Sequence, residues 1–362
     1  MGFLLLILPL SRSACRAPAS GPSLGSVGPS ERNSLRSFLV RHRRCGIMTS
    51  RTCLLSAGDR ISRWTISKLL GRGRFGEVYA GSHETSSVPV AIKVESIDVA
   101  KGRLEREALV YEATDGLPGQ AGVHWFGRQE GVLALVLDRL GPSVKAMHRA
   151  VGNLTHDELR LVASETLHRL EELHSRGWLH GDIKPDNLLL PRGTTALKAR
   201  SGGRPLVHCI DFGMSLPLHE GRAETPSARR GTLGAVRYAS LSNQMLLPLG
   251  PRDDLEALAY SLVYLHRGQL PWSQVSAPTQ REKFALICQA KQHEEPSLLC
   301  AGLPPSFAEF LRLCRAMSAH EQPDYAALRA LLASDAHRPL RKKGWRHDSE
   351  RYRVAESPSR DT

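Results

Sequence analysis

The sequence predicts an α+β fold, with short strands and one helix in its first half and helices through most of its second. Three observations carry this expectation. From Ile61 to Leu137 the apolar residues come in short β-type runs, among them Val90-Ala91-Ile92 and Leu133 to Leu137. From His156 to Arg176, Leu159, Val162, Leu167, Leu170 and Leu173 recur at helical spacing, a stripe that needs a buried surface to face. Between that stripe and the apolar Leu188-Leu189-Leu190 lies a polar loop, His180-Gly181-Asp182-Ile183-Lys184-Pro185-Asp186-Asn187, and 24 residues after Asn187 comes Asp211-Phe212-Gly213.

The 362 residues suffice for one large two-lobed domain or two ordinary ones, and 41% hydrophobic with 23% charged residues is ordinary for a globular chain. The net charge of +13 belongs to the ends. Residues 1–60 carry nine arginines against Glu31 and Asp59, and residues 336–362 carry eight basic residues against four acids. No aromatic-interleaved basic patch stands out between them, so no specific nucleic-acid partner is expected. A nucleic-acid role for the tails would show as salt-sensitive binding lost with them. Seven cysteines (15, 45, 53, 209, 288, 300 and 314) make no CxxC pair, which suits a reducing compartment.

Residues 1–60 read as an Arg/Ser-rich extension. Phe3 to Leu10 is too short to span a bilayer and lacks a basic flank before it, and Leu6 stands where a myristoylation motif has Ser or Thr. Residues 11–58 have a transit-peptide-like composition, and a disordered extension before a start at Met48 is an equal alternative. An organellar address and a cytoplasmic or nuclear one both remain open. No transmembrane span is expected.

The polar loop and the Asp-Phe-Gly that follows it resemble the catalytic and metal-binding segments of protein kinases. That resemblance implies phosphoryl transfer from ATP. Asp182 would orient a substrate hydroxyl and accept its proton, Lys184 would neutralise charge on the moving phosphoryl, and Asn187 and Asp211 would give hard oxygen ligands to Mg²⁺. Upstream, Leu70-Gly71-Arg72-Gly73-Arg74-Phe75-Gly76-Glu77-Val78 holds a G-x-G-x-x-G-x-V pattern between two strand signals, whose glycine amides can approach phosphates closely. Val90-Ala91-Ile92-Lys93 follows, so Lys93 would reach the α- and β-phosphates. Its acidic partner is expected on a helix over 103–113. Glu105, Glu107 and Glu112 are the candidates; Glu107, four residues before Tyr111, is chosen because it matches the E-x-x-x-Y of the family resembled below, with Glu105 as the fallback.

The strand ending at Leu137 leads into Asp138-Arg139-Leu140-Gly141-Pro142-Ser143, whose L-G-P-S looks like the hinge of the casein kinase I family. Leu137 would then be the gatekeeper, Ala91, Asp138 and Leu140 would line the adenine site, and Leu140 would offer its backbone. Gly234-Ala235-Val236-Arg237-Tyr238-Ala239-Ser240 resembles that family's G-T-A-R-Y-A-S. Pro251-Arg252-Asp253-Asp254-Leu255-Glu256-Ala257-Leu258 with Leu270-Pro271-Trp272 is similar to its R-R-D-D-L-E-S-L and L-P-W. The helix there would be a buried pillar, with Asp254 bonded to the catalytic-loop backbone. Cys314-Arg315 and Pro323-Asp324-Tyr325 complete the resemblance, which covers about residues 61–335.

The resemblance implies a bilobal protein-kinase fold over 61–335: a small lobe (61–140) of antiparallel sheet plus one helix, and a larger, mostly helical lobe (141–335). Residues 336–362 would be a basic disordered tail. The expected activity is that of a monomeric, ATP- and Mg²⁺-dependent serine/threonine kinase acting on acidic or phosphate-primed protein sites, with Arg237 and Lys283 holding the priming phosphate. Three departures qualify it. Gly181 replaces the Arg of H-R-D, so activity is expected not to need phosphorylation of the activation loop. Gln274 stands where the anion pocket usually has Gly. The Gly193–Arg204 stretch is longer than that family normally has and reads as an exposed hairpin loop. Aminoglycoside phosphotransferases share H-G-D but lack the hinge, the R-Y-A-S segment and the D-D-L-E helix. A pseudokinase scaffold would have lost one of Lys93, Asp182, Asn187 or Asp211, and all four are present.

Overall fold

The computed structural model describes residues 54–73, 76–98, 102–194, 196–197, 207–218 and 236–334. Nearly all of both tails, Arg74 and Phe75 of the glycine-rich loop, most of the 193–204 insertion, and Gly234 and Ala235 lie outside these residues.

The first lobe is a six-stranded sheet with one helix. The strands are β1 (Arg60–Ile61), β2 (Trp64–Arg72), β3 (Glu77–His83), β4 (Pro89–Ser96), then, after helix α1 (Arg103–Ala113), β5 (Val123–Gln129) and β6 (Val132–Asp138). They pair antiparallel in the order β1-β2-β3-β4-β6-β5. Alternation sorts β4 into two faces. Val90, Ile92 and Val94 join Ile61, Trp64, Ile66, Tyr79, Val132, Ala134 and Val136 in one buried cluster. Ala91 and Lys93 point the other way, opposite Leu137 and Leu135 of β6 in the register. Helix α1 covers the predicted span and buries Leu104, Ala108, Val110 and Tyr111.

The lobe begins before Ile61. Leu54 donates its backbone N–H to Glu77 Oε2 at 2.8 Å, Leu55 donates to the Tyr79 hydroxyl at 3.0 Å, and Leu55 packs on the sheet cluster. The expected boundary at residue 60 would also cut through β1.

The second part is mostly helical. α2 (Val144–Val151) starts at Ser143, whose Oγ accepts from Ala146 N at 3.1 Å. α3 (His156–Ser175) opens on a Thr155/Glu158 capping box and buries the five residues of its apolar stripe. Two short two-stranded antiparallel sheets frame the polar loop: β7 (Trp178–Leu179) pairs with β10 (Leu216–Pro217), and β8 (Leu188–Leu189) with β9 (His208–Cys209). Then come α4 (Leu241–Gln244), α5 (Pro251–Arg267), α6 (Gln280–His293), α7 (Pro296–Leu299), α8 (Pro305–Ala316) and α9 (Tyr325–Ala333). α5 is buried nearly all round from Pro251 to Leu265 and packs against α3 and α8, which makes it the central pillar. Cys209, Cys288, Cys300 and Cys314 are free thiols. No described helix is long and apolar enough to cross a membrane.

Candidate active site

A cavity of about 860 Å³ opens between the sheet and the helical part, a volume typical of a small-molecule site. Its walls include Leu70, Gly71, Val78, Ala91 and Lys93 from β2, β3 and β4, Gly73 and Gly76 from the loop between β2 and β3, and Leu137, Asp138 and Leu140 from the end of β6 and the connection after it. Asp182, Lys184, Asn187 and Asp211 close it from the other side. Leu70 and Asp211, 141 positions apart in sequence, therefore meet in one crevice.

Lys93 is the centre of its electrostatics. Its Nζ donates to Glu107 Oε2 at 2.5 Å and to Asp211 Oδ1 at 2.6 Å. Burial opposes the charge of Lys93, but the two carboxylates win and hold its ammonium above the ordinary lysine value. Asp211 is pulled down to about 2 by Lys93 against burial. Burial lifts Glu107 to about 7 despite Lys93, so its ionisation at neutral pH depends on that ammonium. Glu105, the alternative partner, lies 3.8 Å from Arg128 instead.

Asp211 takes a left-handed backbone conformation, φ 67°, which is strained for a non-glycine residue. What holds it there is Phe212. That ring is fully buried, edge-on to Tyr111 of α1 at 4.9 Å between centroids and 5.2 Å from the His180 ring. One aromatic side chain thus ties the helix that carries Glu107 to the loop that carries Asp182.

The polar loop is braced internally. Lys184 Nζ donates to Asp182 Oδ2 at 2.6 Å, and Asn187 Nδ2 donates to the Asp182 carbonyl at 2.9 Å. Burial raises the Asp182 carboxyl above its ordinary value, with Lys184 opposing, which makes it a better proton acceptor. Beneath the loop, Asp254 of α5 accepts from the backbone N–H of His180 and of Gly181, both at 2.8 Å, and from His174 Nε2 at 2.9 Å. Gly181 sits at φ 73°, a conformation glycine adopts without penalty. Above it, Gly141 packs so close to the chain after β8 that a Cβ would meet the Pro191 carbonyl oxygen at 2.5 Å; its N–H donates to Leu190 O at 2.8 Å.

The structure does not bring every expected site residue to the cleft. Glu77 and Arg72 are not on the cleft wall. Along β3, Val78 faces the cleft and its neighbour Glu77 points to the opposite face, where it is buried and accepts from Arg72 Nε at 2.6 Å, Leu54 N and the Tyr79 hydroxyl. Asp138 lines the cleft, but its carboxylate is engaged by Gly122 N and His124 Nε2, both at 2.8 Å. Arg237 and Lys283 are half-buried and also lie off the cleft wall, in the turn before α4 and the first turn of α6. Arg74 and Phe75 fall outside the described residues.

Sequence reading missed Glu95, Tyr111, Arg139 and Ile210 as cleft residues. Glu95 was within reach of it: two positions after Lys93 on the same strand, it must share that face. It is buried, and burial raises its carboxyl above the ordinary value.

Among the described residues no group of three or more His, Cys, Asp or Glu could hold a metal by itself. Asn187 and Asp211 supply two hard oxygen donors, a set that fits Mg²⁺ bound jointly with nucleotide phosphates and does not fit a protein-only cage. The family model described as "Protein kinase domain" matches residues 64–328, from the first residue of β2 into α9.

Proposed function

The chain belongs to the protein kinase family, and from that premise we propose that it is a serine/threonine kinase acting on acidic or phosphate-primed protein sites. The observation that carries the proposal is the convergence of Lys93, Glu107, Asp211, Asp182, Lys184 and Asn187 on one cleft. ATP bound there with Mg²⁺ supplies the phosphoryl group. Lys93, aligned by Glu107, binds the α- and β-phosphates, and Asp211 with Asn187 holds the metal. Asp182 orients the incoming hydroxyl and takes its proton, while Lys184 balances charge on the transferring group. The narrower likeness to casein kinase I rests on L-G-P-S, R-Y-A-S and D-D-L-E, and the choice of Ser/Thr rests on Lys184. Gly181 brings no guanidinium to the loop, so phosphorylation of the activation segment is not required.

The test is a phosphorylation assay on acidic and primed Ser/Thr peptides with wild type and Asp182→Asn. The variant should lose about 10²–10⁴-fold in kcat and retain nucleotide binding. Transfer by the variant at the wild-type rate, or by neither protein, rejects the reading. Arg237→Ala with Lys283→Ala should depress kcat/KM for a primed peptide more than for its unprimed counterpart. Equal losses on the two peptides reject the anion pocket.

A further inference from the structure

Lys291 of α6 takes no part in the cleft and has no exposed surface. Its Nζ donates to the carbonyl oxygens of Val236 and Ala239, both at 2.6 Å, and stands 5.1 Å and 5.2 Å from the ring centroids of Tyr260 and Trp272. One of the two carbonyls between them is held as well: Trp272 Nε1 donates to Arg237 O at 2.7 Å. The same stretch is pinned at its end, where Ser240 Oγ donates to Asp253 Oδ1 at 2.6 Å and Leu241 N to Glu256 Oε1 at 3.3 Å. Behind the lysine, Arg315 of α8 donates to Lys291 O at 2.9 Å and to the Tyr260 hydroxyl at 3.1 Å.

A buried ammonium is costly, and an apolar side chain of similar volume would fill the space more cheaply. Burial drags Lys291 down to about 7, with Glu256 of α5 and Cys288 of its own helix pulling upward and Arg315 adding to the fall. What the charge supplies is position. Ala239 and Ser240 share a small cavity wall with Asp182 and Ile183, so the clamped stretch lies directly against the catalytic loop.

We propose that Lys291 is a positioning residue for the polypeptide substrate: by gripping Val236 O and Ala239 O it fixes residues 236–240 as a preset ledge beside Asp182. The proposal rests on the kinase reading and adds to it a part of the chain that meets the substrate without touching the nucleotide. Lys291 acts through the segment it holds, so its loss separates the two substrates of the reaction.

The test uses the full chain carrying Lys291→Met, with peptide and ATP kinetics and amide hydrogen exchange measured beside wild type. Peptide KM should rise about tenfold, the weight of a lost charged hydrogen bond, with ATP KM within about twofold. Exchange should quicken in residues 236–241 and stay unchanged in residues 182–190. The substitution removes a buried charge but leaves Val236 O and Ala239 O without their donor, so the melting temperature should fall modestly while the chain stays folded. Trp272→Phe keeps an aromatic ring, though a smaller one, and removes the donor to Arg237 O; it should move peptide KM and exchange in the same direction by less, and it decides the matter if Lys291→Met does not fold. Unchanged peptide KM and exchange, or equal losses toward peptide and ATP, overturn the proposal. Absence of transfer by wild type overturns the kinase reading, and the exchange experiment still decides whether Lys291 holds the ledge.

Discussion

Lys93→Met is expected to lower kcat for phosphoryl transfer by about 10²–10³-fold, the loss typical of removing one preorganised charge from a dry site. The structure shows why the effect exceeds that of a lost contact. Lys93 is the shared partner of Glu107 at 2.5 Å and Asp211 at 2.6 Å, so its removal leaves two carboxylates facing each other. Glu107, already lifted to about 7 by burial, would take up a proton at neutral pH. Asp211 would lose the cation that holds it near 2 and with it the support for its orientation. Steady-state kinetics with ATP and an acidic peptide checks this, with circular dichroism to show that the variant is folded. A wild-type kcat would remove the cleft from the mechanism.

The largest stability effect is expected from Asp254→Ala. The substitution strands the buried His180 amide, the half-buried Gly181 amide and the Nε2–H of buried His174, and should cost about 3–5 kcal/mol in denaturant unfolding. Asp254→Asn keeps one acceptor oxygen and should cost less, about 1–3 kcal/mol. The sign with pH follows from the carboxyl, which His174 and the loop amides hold below its ordinary value against burial. A depressed acid contributes stability above its unfolded value and loses it as pH falls through the folded one. The gap between wild type and Asp254→Ala should therefore narrow on acidification below about 4. A gap that stays constant from neutral to acid pH would remove the carboxylate as the anchor.

Much of this arrangement was legible in the chain. A lysine ending an apolar strand, a glycine-rich turn before it and an acid on the next helix each carry a local signal, and the helix over 103–113 emerged with its expected bounds. The misplacement of Glu77 has a local cause. A motif is contiguous, but a strand deals its side chains alternately to two faces, so Val78 and Glu77 cannot both serve the cleft. Lys291 was unreadable for another reason. A lysine late in a helix ordinarily marks a solvated face, and this one is enclosed by Tyr260 and Trp272, which only the tertiary fold brings alongside it.

The backbone of Leu54 and Leu55, fastened to Glu77 and Tyr79, bears on how the catalytic part can be trimmed. A recombinant version begun at Ile61, where the sequence pattern first turns regular, would discard that fastening and leave the Glu77 carboxylate short of a donor at the root of the glycine-rich hairpin. Cloning boundaries for this domain belong upstream of Leu54, because Leu54 and Leu55, ahead of β1, are already bonded to the sheet.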